Sequence, residues 1–364
     1  MHALGVPTTR ALSLVSTGAG VLRDQWYRGA ARLEPGAVVA RLSPSFVRFG
    51  TFQLPASRGG AEDRLLFDLA DYVIRHHYPH LCAGAYAELL TEAAERTVRL
   101  VAARQALGFT HGVLNTDNMS ILGLSIDYGP FGFLEYFDPN YTPNLSDLDG
   151  RRYSYASQPE VVRWNVRQLA DAFAVAGLVG AEEVDAALER FTEAYVEATE
   201  QEMGEKLGLA HVEESFISEL WLLMAKTAPD FTLTFRALAS VEPEGGEHIP
   251  NALLRAFPAE TLPLSAEAER AWGSWLAEYR QAILSEGADG EERCARMDRA
   301  NPLYVPRNHL LQQSIASMQA GDPEPLERLL EALRDPFTQR DGFEAFAEPA
   351  PLASARKAGI GILS

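Results

Sequence analysis

Between His111 and Phe133 the chain reads HGVLNTDNMSILGLSIDYGPFGF, an apolar run interrupted by His111, Asn115, Asp117, Asn118 and Asp127. Carboxylates are rare in stretches of that character unless they bind something or close a turn. The central MSILGLSI is apolar and partly β-branched, with Gly123 at its middle, which predicts a short hairpin or a kinked strand pair. Asn118 and Asp127 flank that hairpin, so their side-chain oxygens should come close enough to share a hard cation such as magnesium. Asp117 would then stand beside the metal as a base. The plainer alternative is that Asn115, Asp117 and Asn118 form one turn and Asp127 closes another. Against it stands the order Asp-Tyr-Gly after an apolar strand, which mirrors the metal-holding Asp-Phe-Gly of protein kinases.

Several elements must position these residues. The opening MHALGVPTTRALSLV reads as the last turn of a helix, ended by Gly5 and Pro7, followed by a strand. Short β-type runs follow at Ala11 to Val15, Val21 to Tyr27 and Ala37 to Leu42, within a β-type region reaching residue 55 and punctuated by Gly18, Gly20, Pro35 and Gly36. From about residue 61 the pattern turns helical, with Leu65, Leu66, Leu69, Tyr72 and Val73 on one stripe. A second stripe holds Tyr86, Leu89, Leu90, Ala94, Val98 and Val101, and Gly108 ends it. After the polar cluster comes a long loop, then a helix from about Ser157 and Pro159, a cap residue and a first-turn proline. Val184, Leu188, Phe191 and Tyr195, and later Trp272, Trp275, Leu276 and Tyr279, mark two more amphipathic helices. Pro263, the EGADGEE stretch and NPLYVPRN read as breaks, and the last fifteen residues show no periodicity. A small β-rich part, then a large helical one with the polar cluster at their junction, is the predicted α+β architecture.

Composition narrows the function. The chain has 364 residues, 47% of them apolar and 9% aromatic, ample for a packed core. Its 32 Lys and Arg against 50 Asp and Glu give a net charge of -18, which repels nucleic acid and anionic membranes alike. Cys82 and Cys294 form no Cys-x-x-Cys pair, so neither a disulfide framework nor a thiolate metal site is indicated, and a reducing, cytoplasmic setting fits. No apolar run reaches the length of a membrane span, and the first twenty residues lack the features of a signal peptide.

The segment from His111 to Phe133 resembles the signature of the SelO (selenoprotein O, YdiU) family, kinase-like proteins that transfer AMP from ATP onto protein hydroxyls. Further similar segments are RLSPSFVRFGTF, ADYVIRHHYPHL, FDPNYTPN, QPEVVRWNVRQLA and NPLYVPRNHL, so the resemblance runs to about residue 345. It implies a protein kinase-like fold, with a partial β-rich N-lobe over 1–60, a helical C-lobe over 61–345 and an irregular tail over 346–364. By the same resemblance Asp117 is the catalytic base, and Asn118 and Asp127 hold magnesium, or manganese in its place, with Asp127 also near the nucleotide. Base and metal-binding Asn are adjacent here, whereas kinases separate them. Arg41 and Arg48 read by themselves as two surface arginines on a strand and the turn after it. The resemblance makes them ATP phosphate ligands, a role that guanidinium forks suit.

The remaining polar residues read as structural. His76 and His80 are four apart, but Pro79 breaks the helix that would align them on a metal, and His77 is grouped with them. His111 reads as a loop support, Asp138 and Asp147 as turn formers, with Asp147 exposed and remote. Two departures from the family qualify the reading. The glycine-rich loop, lysine and glutamate that family members carry upstream are not in this chain, and a start site assigned too far downstream is the favoured explanation. The terminal redox-active cysteine or selenocysteine is also missing, and its partner position falls at Pro143 or a neighbour, which argues against disulfide control. Protein adenylylation on Ser, Thr or Tyr is the expected activity. The competing readings are UMP transfer from UTP, an inactive nucleotide- or protein-binding remnant, and a metal-dependent phosphohydrolase.

Overall fold

A computed structural model describes residues 1–24, 29–287 and 290–351. Strands β1 (Arg10–Arg23) and β2 (Arg32–Leu42) form an antiparallel ribbon, with Arg10 opposite Leu42 and Arg23 opposite Arg32. The short runs expected here are two long strands. Gly18 sits where the register shifts between Ser16 and Gly20, so these glycines are absorbed as an irregularity instead of ending a strand. Gln25, Trp26 and Tyr27 of the predicted second run lie outside the described residues. All of β1 is exposed and β2 buries only Gly36, leaving Leu14, Val15, Val38 and Val39 open to solvent. Preceding the ribbon, the expected helix end is a turn in which Gly5 N–H donates to the His2 carbonyl. Val6 then seats in a small core with Leu100, Phe109, Phe133 and Val305.

Helix α1 (Phe49–Arg58) lies within the stretch read as β-rich. Pro55 inside it and Gly50 near its start mask the helical signal, but Phe49 and Phe52, three apart, are wholly buried in the helical core. Next, α2 (Asp63–His77) buries Leu66, Ala70, Val73 and Ile74. Its stripe is turned by one residue from the prediction, so Leu65 and Tyr72 face solvent. The 21-residue α3 (Tyr86–Ala106) buries the expected residues except Tyr86, which is half-buried, and also Ala93, Thr97 and Leu100, because α4 (Gln158–Val175) and α5 (Ala181–Leu207) both pack against it. The two-residue strands β3 (Phe109–Thr110) and β4 (Gly132–Phe133) pair antiparallel and bracket the polar cluster.

A second core lies among α6 (Glu214–Thr227), α7 (Phe231–Leu238), α8 (Asn251–Leu254), α9 (Ala266–Glu286) and α10 (Gly290–Ala300). Trp272, Trp275, Leu276 and Tyr279 are buried there, as their spacing predicted. The expected break at NPLYVPRN separates α10 from α11 (Asn308–Gln319), which is followed by α12 (Glu324–Arg334) and the short α13 (Glu344–Ala347). Most of the predicted tail, residues 352–364, lies outside the described residues. The chain is thus mixed helix and sheet, and mostly helical. No helix among the described residues is long and apolar enough to cross a membrane.

Candidate active site

The turn from Val113 to Met119 is held at almost every residue. Asn115 begins a 3-10 turn over Thr116–Asn118, its Oδ1 accepting from Asp117 N–H at 3.1 Å. The Leu114 carbonyl accepts from Asn165 Nδ2 at 2.9 Å, and Thr116 Oγ1 donates to Gln53 Oε1 at 2.7 Å. Phe49 N–H, at the start of α1, donates to the Met119 carbonyl at 2.9 Å. Bonds from α1 and α4 therefore fix the backbone that carries Asp117, while its side chain remains exposed.

Past Met119 the chain makes the expected hairpin. Met119 and Ser125 form an antiparallel bridge, and Gly123 N–H donates to the Ser120 carbonyl. Gly123 has φ +65°, and a side chain there would strike the backbone of Arg96, so both space and conformation call for glycine. The returning arm is pinned in turn. Arg104, buried in α3, donates to Ser125 Oγ at 2.7 Å, and Thr9 N–H donates to the Ser125 carbonyl at 3.1 Å. His111 Nε2 donates to the Ile126 carbonyl at 2.8 Å, and the Tyr128 ring stacks on the imidazole. Burial, with the Arg104 charge adding to it, pushes the His111 pKa down to about 3, so the ring is a neutral support at physiological pH. Its predicted role as a loop support is the one it has.

At the mouth of this arrangement Asp127 takes a left-handed backbone conformation, φ +52°, which Asp tolerates better than most residues. Arg48 Nη1 meets Asp127 Oδ2 at 2.6 Å and donates to the Asp117 carbonyl at 2.9 Å. One guanidinium nitrogen thus touches both ends of the hairpin. Arg41 Nη2, on β2, lies farther off, 3.8 Å from Asp127 Oδ1. Asn118 Nδ2 donates to the Val113 carbonyl at 3.0 Å, which leaves Oδ1 as an acceptor. Asn118 Oδ1 and the part-exposed Asp127 carboxylate are oxygens of the kind a hard cation takes, and it is the Arg48 guanidinium that meets the carboxylate here. No cluster of three or more His, Cys, Asp or Glu occurs among the described residues, so substrate or water oxygens would have to complete a cation's shell.

Asp147 requires a correction. Only 8% of it is exposed, and its carboxylate accepts from Arg152 N–H, Tyr153 N–H and Thr142 Oγ1. It does form a turn, but as the buried centre of the loop. Asp138 closes a turn on Asn140 N–H, as expected. Of the histidines, His80 pairs with Glu92 at 2.6 Å and His76 lies against Tyr72, so neither faces this site. Sequence reasoning missed several supports. Asn165 and Gln158, which holds His111 N–H at 3.0 Å, were legible as polar residues on the apolar stripe of α4. The Arg307 guanidinium, buried between Glu135 and Asp230 at 2.7 Å from each, carried no local signal because its partners are 172 and 77 residues away.

Comparison with known proteins supplies the family. A family model described as protein adenylyltransferase SelO matches residues 1–334. A protein nucleotidyltransferase YdiU of Xanthomonas campestris pv. campestris (strain 8004) is 43% identical over 371 aligned residues, covering 100% of this chain and 70% of the relative. The proteins of the same name from Xanthomonas axonopodis pv. citri (strain 306) and Xanthomonas oryzae pv. oryzae (strain PXO99A) are 42% and 41% identical, with the same coverage. An adenylyltransferase takes ATP as its substrate. With this match along nearly its whole length, the chain belongs to the SelO family and is a nucleotidyltransferase.

Proposed function

We propose that the chain transfers AMP from ATP to Ser, Thr or Tyr hydroxyls of target proteins, within a protein kinase-like fold. Its exposed ribbon would contribute to the smaller lobe, over 1–60, and its helices to the larger, over 61–345. The observation that carries this reading is the meeting of Arg48 with both Asp117 and Asp127 at one edge of the helical body.

In this mechanism the acceptor hydroxyl oxygen attacks the α-phosphorus. The bond from that phosphorus to the bridging oxygen breaks and pyrophosphate leaves. The Asp117 carboxylate, exposed at the mouth of the site, orients the hydroxyl and takes its proton. Arg48 and Arg41 hold the phosphate chain and offset the charge that grows on it; one such donor typically contributes on the order of 10² to 10³ in rate. Asn118 and Asp127 are the residues that would hold magnesium, or manganese in its place, and a bound divalent cation would supply further positive charge against the phosphates. Nucleotide entry requires the Arg48–Asp127 pair to part, since the guanidinium must exchange a carboxylate for a phosphate. Both side chains are about a third exposed, so that pair contributes little on its own and yields readily.

Incubating the chain and a cell extract with α-labelled or γ-labelled ATP tests the reaction type. Label should enter protein from the α position only; entry from the γ position alone would mean phosphoryl transfer instead. Labelled UTP in a parallel incubation identifies the preferred base.

A further inference from the structure

We propose that Gly50 is a positioning residue for Asp117, present because the carboxylate occupies the space where any side chain at position 50 would go. This rests on reading Asp117 as the base. Gly50 lies in the first turn of α1, beside Arg48, with ordinary helical backbone rather than a positive φ. Nothing in its own conformation calls for glycine, and glycine within a helix costs roughly 1 kcal/mol relative to alanine. The reason lies in what faces it. A Cβ placed on Gly50 would overlap Asp117 Oδ1 and come within 3.1 Å of its Cγ, while the nearest backbone atom, Asp117 N, stays at an ordinary 3.4 Å.

The single serious clash is therefore with the far end of a side chain that can rotate. Around it the backbone is already held, through Arg48 on the Asp117 carbonyl and Phe49 on the Met119 carbonyl. The carboxylate rests against the bare Cα face of Gly50 in the first turn of α1. An alanine here would leave the fold intact and swing the carboxylate to another rotamer, away from the acceptor hydroxyl. Displacements of about 1 Å in reacting groups cost on the order of 10²-fold in rate.

Gly50→Ala, Asp117→Ala and the double variant, assayed for label transfer from α-labelled ATP and for thermal stability, test this. For Gly50→Ala the expected result is a kcat lowered about 10- to 100-fold, an unchanged KM for ATP, and a Tm equal to or above that of the wild type. In the Asp117→Ala background the same change should have no further effect on kcat, because there is no carboxylate left to displace. Full activity in Gly50→Ala, or an equal loss in both backgrounds, would overturn the inference while leaving the base assignment standing. An Asp117→Ala variant with wild-type kcat would overturn the base assignment, and this inference with it.

Discussion

The ribbon of residues 10–42 and the turn and hairpin of residues 111–133 are both antiparallel pieces, yet they are held in opposite ways. The ribbon's strands pair with each other, and β1 buries none of its residues. The hairpin forms only one bridge of its own, but side chains or backbone of α1, α3, α4 and the segment before β1 reach into it. Regular strand pairing is therefore a poor guide to which region is fixed. The two arginines at the site inherit the difference: Arg41 stands on the ribbon, whereas Arg48 precedes a helix whose Phe49 and Phe52 are anchored in the core.

The same substitution placed in the ribbon and in the helical body that holds the hairpin exposes the contrast most strongly. Leu90→Ala, wholly buried in the second turn of α3, should lower the unfolding free energy by about 2–5 kcal/mol. Leu14→Ala, at a ribbon position 67% exposed, should change it by less than about 0.5 kcal/mol. Urea denaturation of both variants measures the gap, and equal losses would mean that the ribbon is packed against something in solution. Next in size is the arginine pair. Arg48→Ala should cost on the order of 10² to 10³ in kcat/KM for ATP, and Arg41→Ala less than about tenfold, because a phosphate ligand on an unanchored strand is less well preorganised. Similar losses would remove the distinction drawn between them.

Acid should sharpen the comparison with a smaller effect. His111 is held neutral in the folded chain, with a pKa of about 3 against an ordinary 6.5. Between those values the unfolded chain binds the extra proton, so this group's contribution is complete above pH 6.5 and declines as the pH falls toward 3. The decline is at most about 1.4 kcal/mol per pH unit. His111→Phe removes the titration, so the stability advantage of the wild type over that variant should shrink as acid is added. A difference that stays constant from pH 7 to 4 would show that the imidazole does not sit as described.

How much of this was legible follows from where the signals lie. The hairpin was, because Gly123 splits an apolar, β-branched run whose polar flanks stand out by contrast. Helices α3, α5 and α9 were as well, since their apolar stripes recur over many turns. Helix α1 was not: Gly50 and Pro55 are poor helix formers, and what stabilises the helix is the burial of Phe49 and Phe52 against residues far along the chain. Asp147 was misjudged because a carboxylate that gathers nearby backbone N–H groups cannot be told from an exposed one by the loop composition around it. Gly50 was invisible for a related reason, as its partner Asp117 is brought to it only by folding.

On the proposed function, Asp117 carries the proton-transfer step of adenylyl transfer at this fixed turn. Single-turnover transfer from α-labelled ATP, measured beside ATP affinity in the wild type and in Asp117→Ala, tests it most directly. Transfer in Asp117→Ala should slow on the order of 10²- to 10⁴-fold, with ATP affinity changed by no more than a few fold. Transfer at the wild-type rate in Asp117→Ala would contradict it.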